Sequence, residues 1–425
     1  MTVKSHGSSL GRSRRLVTTS AIAAVAALAL AGCSTGATGA GDEAPAEDTG
    51  TLTVWLDADR VDALEDVAAR FKEDRGITVK LVNKDFGDIR DDFITQVPTG
   101  KGPDIIVGAH DWLGKLVQNG VVAPLELGDL AGDFQEVAVT AMSYEGQTYG
   151  LPYSVENIGL VRNTDLAPEA AVTFDEAIAT GTGLVEAGTA EYPFLVGLDP
   201  AASDPYHLYP LQASLGAPVF GLDENGTYDA ANLALGGAAG EAFAVKLAEL
   251  GASGVLNTNI STDIALEEFN AGKAPYYLTG PWNLPAIKEA GINYAVDAIP
   301  TTGDQPATPF VGVQGFYVSA QSENALAANE FLVNYLGTEE AQTALYEVGG
   351  RAPALLTSFE AAQSDADVAA FGAVGAEGVP MPNVPAMDAV WADWGATQVA
   401  IINGQGDPVA LWQAMVTSIE SKIAG

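Results

Sequence analysis

Few groups in this 425-residue chain have the type and spacing to do chemistry, and most fail on context. Beyond the first 32 residues the histidines are His110 and His207, which stand alone without metal-ligand spacing. The one G-x-S-x-G match, Gly7-Ser8-Ser9-Leu10-Gly11, has no strand and helix around it to raise a nucleophilic serine. No P-loop is present, so nucleotide hydrolysis by that route is not expected. Adjacent Tyr276-Tyr277 could suit a hard cation such as ferric iron, but neighbours on a strand point to opposite faces. What remains is carboxylate chemistry, in which two acidic groups could act as acid and base or nucleophile on a glycosidic bond.

The elements that must position such groups follow from apolar periodicity. Residues 51–56 form a short β-rich run, and residues 60–75 place Val61, Leu64, Val67, Ala68 and Phe71 at helical spacing before Gly76 stops them. A strand over 77–82, a helix over 89–97 and a strand over 103–107 complete a β-α-β-α-β opening. That order predicts a parallel sheet with right-handed crossovers, whose ligands bind beyond the carboxyl ends of the strands. Attention therefore falls on Asp57-Ala58-Asp59-Arg60 and on Gly108-Ala109-His110-Asp111. Further along, helices are expected over 230–250 and 261–270, a strand over 274–278, and a helix capped by Ser322 that runs to Leu336. The last helix opens at Asp407-Pro408 and sets Trp412, Val416, Ile419 and Ile423 on one buried face.

The N-terminus predicts the compartment. Lys4, Arg12, Arg14 and Arg15 precede the apolar run 16–31, the order of an export signal and too short to span a bilayer comfortably. Leu30-Ala31-Gly32-Cys33 resembles a bacterial lipobox, so residues 1–32 are expected to be removed and Cys33, the only cysteine, to carry the lipid. Residues 33–50, small, acidic and proline-containing, read as a flexible tether. Losing residues 1–32, with four basic and no acidic side chains, takes the formal net charge from −36 to −40. A chain this acidic is repelled by polyanions, so nucleic-acid binding is not expected.

From about residue 51 to the end, the order of segments resembles the maltose and maltodextrin receptors of ABC importers, among the extracellular solute-binding proteins of family 1. The stretches that carry it are Val54-Trp55-Leu56-Asp57-Ala58-Asp59-Arg60, Gly102-Pro103-Asp104-Ile105-Ile106, Ala109-His110-Asp111, Gly280-Pro281-Trp282, Pro309-Phe310-Val311-Gly312-Val313, and Met381-Pro382-Asn383-Val384-Pro385 leading to Trp391. The resemblance implies an α/β, two-lobe, periplasmic-binding-protein-like type II fold with three hinge crossings, near residues 155–158, 313–316 and 366–368. Lobe 1 would comprise 51–156 and 315–366, and lobe 2 would comprise 157–314 and 367–425. It implies a non-enzymatic, monomeric receptor with no cofactor or metal, lipid-anchored on the outer face of the cell membrane. Its partners would be an oligosaccharide of the maltose/maltodextrin class and the membrane permease subunits.

A pyranose offers an apolar face that stacks on aromatic rings and a rim of hydroxyls that need charged or amide partners. The positions that match the family's ligand contacts are Asp59, Arg60, Asp111, Glu156, Asp204, Tyr206, Trp282 and Trp391. For Asp59 and for Asp111 the bland alternative is N-capping of the following helix. Trp394, one turn past Trp391, is expected to pack. The chain departs from the family at Gly108, where a tryptophan is usual, and at Trp112 and Gly395, where arginines are usual; Trp112 could supply the missing stack. Other readings are a receptor for a different oligosaccharide or small polar solute, a ferric-ion receptor, and a surface glycosidase.

Overall fold

A computed structural model describes residues 50–222 and 228–424. Cys33, the export signal and nearly all of the tether lie outside the described residues.

The chain opens as β1 (Gly50–Leu56), α1 (Ala58–Arg75), β2 (Ile77–Asn83), α2 (Phe86–Gln96), β3 (Ile105–Ala109) and, after a one-turn 3-10 helix, α3 (Leu113–Gln118). β1 pairs in parallel with β2 and with β3, as the alternating pattern requires. Gly76 ends α1 in the left-handed conformation, with φ 69°, and its N–H bonds the Lys72 carbonyl. α1 begins two residues earlier than its periodicity suggests, because Asp57 and not Asp59 is its N-cap. β4 (Gly150–Asn157) and β5 (Gly159–Asn163) follow, the chain passing from one sheet to another at Ile158.

The larger sheet has seven strands. Its order is β9 (Ala352–Pro353), β4, β8 (Phe310–Val318), β3, β1, β2, with β10 (Val379–Pro380) beside the start of β8. The smaller sheet sets β5 between β6 (Tyr276–Thr279) and β7 (Tyr294–Asp297), antiparallel to both. Tyr276 and Tyr277 enter two different apolar clusters, as neighbours on a strand must. β8 is antiparallel to both β3 and β4, so β1, β3 and β4 run the same way and their carboxyl ends share one edge.

Helices α4 (Pro205–Ala213), α5 (Gly237–Ala252), α6 (Met387–Ile402) and α7 (Pro408–Ala424) pack on one another. Trp412 is fully buried, edge-on to Phe243 and bonded to the Leu235 carbonyl at 2.8 Å, the packing role that its helical face predicts. Trp394 is fully buried as well, donating to Gln212 at 3.1 Å. The molecule is thus an α/β, two-lobe, periplasmic-binding-protein-like fold.

Two sequence expectations are corrected, and one alternative reading falls. The start of the expected 230–250 helix is a strand, Tyr228–Leu233, which pairs antiparallel with Phe220–Leu222; that pairing outweighs alanine propensity there. Ser322 does not cap the helix to Leu336; its hydroxyl bonds Asp104 at 2.6 Å, and the helix runs over Ala325–Phe331 into a π-turn at Leu332–Leu336. Asp111 does not cap α3, whose N-cap is Trp112, without a side-chain bond.

Candidate ligand-binding site

The shared carboxyl edge of β1, β3 and β4 collects the acidic groups. Asp57, at the end of β1, accepts the Arg60 amide at 3.4 Å and pairs with the Arg60 guanidinium. That guanidinium is buried, donates from Nε to the Tyr153 hydroxyl at 2.5 Å, and lies 5.1 Å from the Phe86 ring and 5.2 Å from the Tyr153 ring. Asp59 is exposed in the first turn of α1.

Asp111 follows β3 and is half-buried. Trp391 of α6 donates its indole N–H to the Asp111 carboxylate at 3.2 Å. Burial pushes the Asp111 carboxyl up to about 6, outweighing Arg90 and that indole bond. Trp112 is only 8% exposed, with its ring tilted against Phe86 at 4.9 Å. A Cβ at Gly108 would stand 2.6 Å from that ring, so Trp112 fills the volume that a larger residue at 108 would take. The half-buried aromatic of this pair is Phe86.

Glu156, at the end of β4, is 7% exposed and engaged on both oxygens: Gln314 donates at 2.8 Å and Arg351 at 2.7 Å. Arg351 also lies 5.3 Å from the Trp282 ring, in cation–π range. Burial works against the Arg351 charge, but Tyr153, Glu156, Asp57 and Asp59 outweigh it and raise its pKa. A register shift between Gln314 and Gly315 of β8 leaves Tyr153 without a partner on β8. Such bulges re-aim side chains, and the Tyr153 phenol here meets Arg60.

The other wall comes from α4 and the segment after β6. Asp204 caps α4 through the His207 amide at 3.0 Å and holds the His207 ring at 2.7 Å. His207 in turn meets Trp282 edge-on at 5.9 Å. Trp282 follows the Gly280-Pro281 turn, and its ring folds back over Gly280, where a Cβ would be 2.1 Å from it. Trp391 stacks on Trp394 at 5.6 Å. The buried Tyr206 hydroxyl has no protein partner; burial, then Glu156, Asp204 and Asp111, hold it protonated. Arg60 Nη2, Ser154 Oγ and Gln314 Oε1 are likewise buried and unpartnered.

The geometry therefore links Arg60, Asp111, Glu156, Asp204, Tyr206, Trp282 and Trp391 through direct contacts or neighbouring charge, and leaves Asp59 at the margin. Sequence reasoning passed over Arg351, Gln314 and Tyr153. Their only signal is position, a charge just past a helix end and a polar residue amid an apolar strand. His110, read as isolated, is buried between two backbones: Nδ1 accepts the Val313 N–H and Nε2 meets the Met381 carbonyl, both at 3.0 Å. Burial lowers its pKa to about 4. Among the described residues no cluster of His, Cys, Asp and Glu could hold a metal ion, and no helix is long and apolar enough to cross a membrane.

The chain is similar to known proteins over most of its length. The family profile of bacterial extracellular solute-binding proteins matches residues 66–372. The chain is 26% identical over 399 residues to the galactooligosaccharide-binding protein of Bacillus subtilis, covering 88% of this chain and 90% of that one. It is 28% identical over 389 residues to the maltooligosaccharide ABC transporter solute-binding lipoprotein of Streptococcus pneumoniae, covering 88% of each. It is also 28% identical over 376 residues to the maltodextrin-binding protein of Bacillus subtilis, covering 86% of this chain and 87% of that one.

Proposed function

This chain belongs to the family of bacterial extracellular solute-binding proteins, and we propose that it is the substrate-binding lipoprotein of an ABC sugar importer, one that takes maltose- or maltodextrin-type oligosaccharide. In this reading the sugar lies between lobe 1 (51–156 and 315–366) and lobe 2 (157–314 and 367–425). Contacts from both lobes favour the closed form, which the permease subunits then read. Cys33 carries the lipid, residues 33–50 form the tether, and the receptor acts as a monomer outside the cell membrane.

One observation carries the substrate class. Buried polar atoms without protein partners, the donors of Arg60 and Tyr206 and the acceptor of Gln314, belong to the same set of residues as the half-buried rings of Trp282 and Trp391. Asp111, Glu156 and Asp204 disfavour an anion there, while Arg60 and Arg351 disfavour a cation. A neutral molecule with hydroxyls around an apolar face answers both demands. The positions proposed to contact it are Asp59, Arg60, Asp111, Trp112, Glu156, Asp204, Tyr206, Trp282 and Trp391. Trp112, being nearly buried, would act by supporting Phe86. The names of the relatives favour α-glucans in two of the three cases above, and the galactooligosaccharide-binding relative supports a second reading within the same class.

Intrinsic fluorescence during titration with maltose, maltotriose, longer maltodextrins and galactooligosaccharides tests this. Saturable change is expected with the maltodextrins, and Trp282→Ala should weaken their binding by about 1–3 kcal/mol. Response to galactooligosaccharides alone would replace the α-glucan reading, and shorter sugars appearing from maltotriose would make the protein an enzyme.

A further inference from the structure

We propose that Gln314 is a specificity-determining residue of the sugar site, its side-chain oxygen accepting a hydroxyl of the bound ligand; the inference rests on the sugar-binding reading above. Gln314 lies on β8 between the two strands that carry the site's carboxylates, its Cα opposite Ala109 of β3 on one side and Ser154 of β4 on the other. It is 6% exposed, in a strand whose other residues are apolar, glycine or tyrosine. The amide orientation is set by chemistry. Glu156 is an acceptor, so the Gln314 nitrogen must face it, as it does at 2.8 Å, and the amide oxygen faces away. That oxygen is buried and has no protein partner. Leaving such an acceptor unsatisfied is costly, so the oxygen calls for a donor that the protein's own side chains do not supply.

The surroundings say what that something is. Tyr206 offers an unpartnered hydroxyl, and it stands within the field of Glu156, the group that orients Gln314. A ligand hydroxyl can donate to the Gln314 oxygen and accept from a phenol or guanidinium at once, whereas an ether oxygen or a carboxylate cannot donate. Gln314 thus selects for a hydroxyl at one position of the sugar. The bulge at Gln314/Gly315 holds the residue in place, and Gly315 is required there because a Cβ would meet Met142 at 2.6 Å and the Leu151 carbonyl at 2.8 Å.

The test is calorimetric titration of the wild-type protein and Gln314→Met with maltotriose and its monodeoxy analogues, with unliganded melting temperatures measured alongside. Gln314→Met is expected to lose about tenfold or more in affinity for maltotriose, as one buried hydrogen bond to a fixed partner implies. For one monodeoxy analogue, weak with wild type, the variant should show no further loss. Unchanged affinity, or an equal loss for every analogue together with a lower melting temperature, would overturn the proposal and leave Gln314 as a support for Glu156. A liganded crystal structure with only water at the amide oxygen would do the same. Should Gln314→Met not fold, Gln314→Asn, which keeps the amide but withdraws it, is read by the same two criteria. A wild-type protein that ignores maltotriose but binds galactotriose overturns the α-glucan reading alone, and the cycle is then run with deoxygalactosides; silence with every sugar overturns both.

Discussion

Glu156 is held by a cation on one oxygen and an amide on the other, and removing either partner has a different consequence. Arg351 is nearly buried, so Arg351→Met strands a buried carboxylate and is expected to cost about 3–5 kcal/mol in urea unfolding. Pairing it with Glu156→Gln should recover part of that loss, because the stranded charge is gone. Two neighbouring residues make opposite pH predictions. Burial holds the Asp111 carboxyl near 6, above its ordinary 3.8, so its contribution to stability is present at low pH and lost as pH rises from about 4 to about 6. His110 is depressed to about 4 from 6.5, so its contribution is present above 6.5 and lost as pH falls toward 4. In denaturant titrations between those limits, Asp111→Asn should therefore raise stability most at the upper end, and His110→Gln should flatten the fall at the lower end. Both slopes tilting the same way would contradict the assignments. None of this was legible in the sequence: His110 looked isolated because its partners are the backbones of Val313 and Met381, which no side-chain motif announces.

At the scale of elements, α6 packs tightly on the 199–203 loop. A Cβ at Gly395 would lie 2.0 Å from the Ala202 carbonyl oxygen. Gly395→Ala is expected to destabilise by about 1–3 kcal/mol in thermal unfolding, since a backbone atom cannot move aside as a side chain can. No loss would mean that the 199–203 loop yields. The start of α6 also ties to α2 and α3 through Asp388, which accepts Lys115 at 2.7 Å and meets Arg90 at 3.4 Å. Asp388→Asn should weaken sugar binding by only about 1 kcal/mol or less, and the difference should vanish at high salt. The alternating opening, the Gly76 stop and the buried face of the last helix were readable because period and cap are local signals. The strand at Tyr228–Leu233 and the displaced caps were not, because strand pairing and side-chain competition are settled by distant chain.

For the whole molecule, the sequence carried the fold through the order of its segments, while the site needed the third dimension. Asp111, Glu156, Trp282 and Trp391 were singled out by motif; Arg351 and Gln314, which bond Glu156, come from segments remote in sequence and had no motif to mark them. The formal net charge of −36 favours solubility and works against polyanion binding without selecting any sugar. In the proposed function, selection falls to the few cations and amides that line the site among so many carboxylates. In the proposed function this site binds a neutral α-glucan and leaves it intact. Calorimetric titration of the purified protein with maltotriose, followed by analysis of the recovered sugar, measures both parts. Saturable one-to-one binding with a negative heat-capacity change and unaltered maltotriose is the expected result; absence of heat with maltotriose and longer maltodextrins, or recovery of shorter sugars, would contradict it.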